Sequence, residues 1–204
     1  MITNMDEHAD LKVYINCLQS AKLRLALVEK LCSGDLTIDH ESIDAEFACL
    51  QLRKCLELIA FSSVAAHKEI YSQAYADFYT HWKAKGLLER MGKLHAEFYP
   101  KPIVVERDGS RTVKLSQIMN GYLTKDEFVF LFDTCSNALH EWNPYRTDSR
   151  ILDLEKPLQE WVNRIRRLLE WHVVHLFGGG GVWIVQLNDP STGTVRAYPA
   201  APVT

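Results

Sequence analysis

From Leu11 to Cys32 apolar residues recur every three or four positions. Leu11, Leu18, Leu25 and Cys32 mark one seam, with Tyr14, Ala21 and Val28 interleaved. Such spacing places them on one face of an α-helix, and Ser33-Gly34 supplies a stop. A second helix is expected to open near Asp39 to Ser42 and to run past Ile59. Its stretch from Phe47 to Val64 is apolar on nearly every side, which marks a helix at the centre of its bundle. Glu46, Arg53 and Glu57 are spaced to share the narrow polar stripe that remains. Beyond a bend at His67, helical pattern continues through the aromatic-rich Ile70 to Trp82, breaks near Lys85-Gly86 and resumes through His95.

Tyr99-Pro100-Lys101-Pro102 ends helix, because proline lacks the N–H and restricts the residue before it. Ile103-Val104-Val105, Asp108-Gly109 and Thr112-Val113-Lys114-Leu115 then read as a hairpin over 102–115. Thr124-Lys125-Asp126-Glu127 forms a capping box. The helix it opens carries Phe128, Phe132, Cys135 and Leu139 on one face and ends before Asn143-Pro144. A last helix is expected from Pro157 to about Leu176, with Leu158, Trp161, Ile165, Leu168 and Leu169 giving its period. Gly178 to Gly181 break the chain. Val182 to Leu187, a turn at Asp189 to Gly193, and Thr194 to Tyr198 form a second hairpin. The expectation is a mainly α fold: a helical bundle of five to six helices with two small β-hairpins. Residues 1–177 make the bundle domain and 182–199 a C-terminal hairpin appendage.

Composition narrows the function classes. The chain has 204 residues, 47% of them hydrophobic, and a formal net charge of −3. This is an ordinary globular balance with no overall attraction for a phosphate backbone, so RNA binding would need a local basic patch. Leu56 to Ala66 and Val173 to Leu187 are the most apolar stretches, and both fall short of a membrane span. The opening MITNMDEHADLKVY lacks the basic and apolar regions of a signal peptide. No membrane partner and a cytoplasmic location are therefore expected. Five cysteines without CxxC spacing, each at a helical period among apolar residues, read as buried free thiols. No cofactor and no metal are expected.

Several constellations could carry chemistry. The four glycines lack the strand before and the Lys-Ser/Thr after that a phosphate loop needs, so they read as a connector. His172 and His175, three apart at a helix end, could face one metal ion, but no third ligand stands at metal spacing. Arg-x4–6-His, the spacing of a metal-independent ribonuclease site, occurs at Arg90/His95, Arg166/His172 and Arg167/His172, about as often as chance allows. Arg53 with Glu57 is either a structural rivet or the lining of a polar pocket for a small molecule. Asn137, His140 and Asn143, three apart beside a chain reversal, form a candidate binding edge. Lys101, Arg107, Arg111 and Lys114 on the first hairpin could hold RNA phosphates or stand as a solvated arm.

The Arg-Lys-Cys-Leu-Glu helix (Arg53 to Glu57), followed by a Ser-Asn-Ala-Leu-His helix end (Ser136 to His140), resembles the HEPN-like helical domains of prokaryotic defence and toxin systems. The resemblance spans residues 10 to 175. It implies a bundle of four or five helices, often dimeric, with many members acting as metal-independent ribonucleases and others as binding modules without a working site. Active members place an arginine about five positions before the histidine. Here Cys135 stands at that place, preceded by Asp133 and Thr134. The resemblance therefore implies a non-catalytic module that dimerises and binds a protein or RNA partner. The alternative is a ribonuclease in which His140 moves the proton, Asn137 is its polar neighbour and Arg53 supplies the charge from the second helix.

Overall fold

The computed structural model describes residues 5–107, 113–141, 143, 145, 152–179 and 181–200. Its first helix, α1 (Met5–Ser33), buries Tyr14, Leu18, Ala21, Leu25 and Val28 as the seam requires. Cys32 departs from the expectation of a buried thiol. It lies in the last turn, before the loop to the next helix, and is exposed. Cys49, Cys55 and Cys135 are buried. The central helix α2 (Glu41–Ala66) packs against α1 along its length and against two later helices. That crowding explains its nearly all-round apolar sequence.

At His67 the backbone leaves helical geometry (φ −128°, ψ 26°), and a short α3 (Lys68–Ala74) follows. The aromatic segment is less helical than its pattern suggested: α3 ends at Ala74, and only a 3-10 turn at Phe78–Thr80 follows. The break expected near Lys85-Gly86 comes slightly earlier, at His81 to Lys83. Lys85 and Gly86 lie inside α4 (Ala84–Leu94), which buries Ala84, Leu87, Leu88 and Met91. A glycine in a helix interior is a weak destabiliser that a buried apolar face outweighs. Helix α5 (Lys125–Ala138) carries the capping box in full: Thr124 Oγ1 accepts from the Glu127 N–H, and Glu127 accepts from the Thr124 N–H.

The largest correction concerns the last helix. It spans only α6 (Leu158–Leu169), and the residues expected to prolong it form a strand, β3 (Trp171–His175). Strand β1 (Lys101–Arg107) pairs with β2 (Val113–Gln117), and β4 (Val182–Gln186) pairs with β5 (Arg196–Ala200). Strand β3 joins the two, so the expected separate hairpins are parts of one antiparallel sheet in the order β2-β1-β3-β4-β5. A β-strand between two others satisfies its peptide groups on both sides, and this tertiary pairing overrides the helical period at Trp171 to Leu176.

The glycines connect β3 to β4, as expected. Gly178, Gly179 and Gly181 hold positive φ (69°, 77° and 92°), a region costly for side chains with a Cβ. The sheet shares its buried face with the helices: Val174, Trp183, Val185, Leu187 and Val195 belong to the same core cluster as Tyr14, Leu56 and Trp161. The fold is thus mainly α, with a small antiparallel sheet against the bundle. Among the described residues no helix is long and apolar enough to cross a membrane.

Candidate functional site

Arg53 projects from α2 toward α5. Its Nε lies 3.3 Å from Glu57 Oε1, and the pair is part-buried, with side chains 28% and 18% exposed. The contact is an ion pair without hydrogen-bond alignment, since Arg53 Nε has no hydrogen-bond partner. The guanidinium sits over the Phe132 ring, 5.7 Å from its centroid. Beneath lie Cys49 and Cys135, both fully buried. The Cys135 thiol is pushed far above its ordinary range, first by its hydrogen bond to Cys49 and then by burial, with Arg53 opposing in part. The cation–π contact and the Cys49–Cys135 hydrogen bond join α2 to α5, while the Arg53–Glu57 ion pair stays within α2.

His140 lies just past the end of α5 and is exposed. Its backbone N–H donates to the Asn137 carbonyl (3.3 Å), and Asn137 is exposed as well. Asn143, also exposed, accepts from the Tyr145 N–H (3.0 Å). Trp142 and Pro144 fall outside the described residues. His140 is eight positions beyond Phe132, the residue that receives Arg53, which at helical rise is about 12 Å along α5. The structure therefore brings Arg53 to Glu57 and Phe132, and among the described contacts none joins it to His140.

On the first hairpin, Lys114 lies 3.8 Å from Glu106, and Lys101 bonds Glu97. These basic residues carry acidic neighbours that cut their net charge. Arg107 closes β1 opposite Val113, and Arg111 lies outside the described residues. The Arg-x4–6-His pairs also dissolve into packing. Arg166 forms a bidentate pair with Glu29 of α1, while His172 leaves the helix for β3.

The strand separates His172 from His175, because residues an odd number apart point to opposite faces. The premise that both face one metal ion does not hold. His172 is fully buried, accepts from Tyr14 OH at Nε2 (2.7 Å) and donates from Nδ1 to the Leu169 carbonyl (2.9 Å). Both contacts suit one neutral tautomer, and burial pulls its pKa down to about 4. Among the described residues no group of three His, Cys, Asp or Glu is arranged to hold a metal.

A histidine cluster had no signal in the sequence beyond the bend at His67. His67 Nε2 and His95 Nε2 lie 2.9 Å and 3.0 Å from one acceptor, the His175 carbonyl. That carbonyl points away from β4, because the neighbouring Leu176 N–H is the group bonded across to Gly181. On its other side β1 begins only opposite Val173, so the two imidazoles serve where a strand would have. His67 Nδ1 meets a second carbonyl, that of Ser63, at 2.8 Å. A neutral ring can donate to one of its two carbonyls; only the cation donates to both. Burial outweighs those carbonyls and, with His95 nearby, holds the His67 pKa below its ordinary value.

Fold and site together define a mainly α domain with a polar cluster at Arg53 between two of its core helices. Compared with family models, with curated proteins and with solved structures, the chain gives no match in any of the three.

Proposed function

We propose that this chain is a non-catalytic, HEPN-like helical module of the cytoplasm that dimerises and binds a protein or RNA partner, in a prokaryotic defence or toxin–antitoxin setting. The supporting observation is the commitment of Arg53: its guanidinium is shared between Glu57 and Phe132, in the α2–α5 packing. A ribonuclease of this type needs a cation poised for the transferring phosphate beside its proton-moving histidine. Exposed aromatic side chains favour binding as well. Tyr79 is 80% and Trp82 56% exposed, and unburied rings of that size commonly mark contact surfaces.

Incubation of concentrated wild-type protein with single-stranded and structured RNA in EDTA tests the reading. Intact RNA is expected, with His140→Ala indistinguishable from wild type. Cleavage that His140→Ala abolishes would replace this reading with the ribonuclease that uses His140 and Arg53. Ligand-dependent melting shifts lost in Arg53→Ala would instead favour a small-molecule sensor at Arg53 and Glu57.

A further inference from the structure

We propose that a second copy of this chain docks on the β1–β2 arm, with the two β2 strands pairing antiparallel about a two-fold axis at Leu115. The inference rests on the dimerising-module reading and gives it a surface. Strand β1 is tied to β3 only at Lys101 and Pro102; from Ile103 onward it pairs with β2 alone. The remainder is a two-stranded arm, an element marginally stable in water without further cover.

Residues opposite one another across an antiparallel pair share a face. The register places Ile103, Val105 and Arg107 of β1 with Gln117, Leu115 and Val113 of β2 on one face, and Val104, Glu106, Lys114 and Ser116 on the other. The first face begins on the core, with Ile103 7% exposed, and runs off it, with Leu115 40% and Val113 45% exposed. The apolar strip Ile103, Val105, Leu115 and Val113 on this face is covered at the Ile103 end only and calls for an occupant toward the other.

Among the described residues no strand pairs with the outer edge of β2, and that edge selects the occupant. Ile118 N–H donates to the Pro102 carbonyl (2.9 Å), which sets the parity of the arm's ladder. Bonded pairs alternate along an antiparallel ladder, so Val104/Ser116 and Glu106/Lys114 are bonded pairs. Val113, Leu115 and Gln117 therefore turn their N–H and C=O groups outward, at the edge of the sheet. An edge with this parity complements itself when centred on Leu115. Leu115 then meets Leu115 of the second copy, Val113 meets Gln117, and every outward peptide group gains a partner. A row Val105–Leu115–Leu115–Val105 crosses the joint sheet.

Charge agrees with this register. Lys114 faces Ser116 of the second copy, not its own counterpart, and keeps Glu106 beside it. The opposite edge of the sheet is different: β5 carries Pro199, which cannot donate to a new strand. Strand β2 has no such block.

Sedimentation equilibrium at micromolar concentration, with circular dichroism to verify folding, tests the proposal. Wild type is expected to dimerise, and Leu115→Glu, which sets two carboxylates against each other, to raise the dissociation constant at least tenfold. In a Cys32→Ser background, Leu115→Cys is expected to cross-link under oxidised glutathione. Bonded antiparallel partners lie about 5.5 Å apart at Cα, within disulfide reach. Lys114→Cys, whose counterpart is diagonal, is expected not to cross-link. A dimer that tolerates Leu115→Glu and leaves Leu115→Cys unlinked overturns the arm interface while sparing the module reading. A wild-type monomer at these concentrations overturns the arm and the dimerising part of that reading, leaving partner binding to be judged by the RNA experiments.

Discussion

His172 shows how one side chain converts burial into pH dependence. Its ordinary pKa near 6.5 applies to the unfolded chain, whereas the folded chain lowers it to about 4. Above pH 6.5 both states leave it neutral, and it contributes no slope. As pH falls from 6.5 toward 4, the unfolded chain binds a proton that the folded chain excludes, so stability is lost. His67, shifted in the same direction, adds to the loss. Urea unfolding at pH 6.5 and at pH 5 should therefore differ by about 1.5 kcal/mol for His172 alone. A His172→Gln variant should show a shallower pH slope; an unchanged slope would mean that the ring titrates normally in the fold. Nothing in the spacing of Tyr14 and His172 foretold this bond, because the two lie 158 positions apart.

At the scale of elements, caps and seams were legible while boundaries set by pairing were not. The Thr124–Glu127 box was readable because all its partners lie within one helical turn, and it is present in full. Thr124→Ala should destabilise the protein by about 1 kcal/mol, seen as a lower urea midpoint without a change in slope. Glu127 also pairs with Arg164 of α6 and Lys156, so Glu127→Ala should cost more than the cap alone. Helix α6 illustrates the converse. Its apolar period passes through Leu168 and Leu169 and gives no notice of the switch at Trp171, where ladder bonds to β1 and β4 take over. The Arg53–Glu57 pair was legible as an i,i+4 contact on α2, but its place over Phe132 depended on how α5 crosses.

For the whole molecule, one core cluster runs from the helices into the sheet. Trp161 on α6 and Trp183 on β4 are both buried in it. Thermal unfolding followed by far-ultraviolet circular dichroism and by tryptophan fluorescence should give coincident transitions. A separate, earlier fluorescence change would show the sheet melting apart from the bundle. The mainly α character, the seam of α1, the central place of α2, the capped start of α5 and the hairpin-forming runs were legible in the sequence, because each rests on local periodicity or turn chemistry. How the elements pack settles that β3 unites the hairpins, that Arg53 is absorbed into packing, that three histidines converge and that, among the described residues, the outer edge of β2 pairs with no strand. Those features depend on which distant peptide groups and side chains meet, and spacing along a single chain carries no record of that.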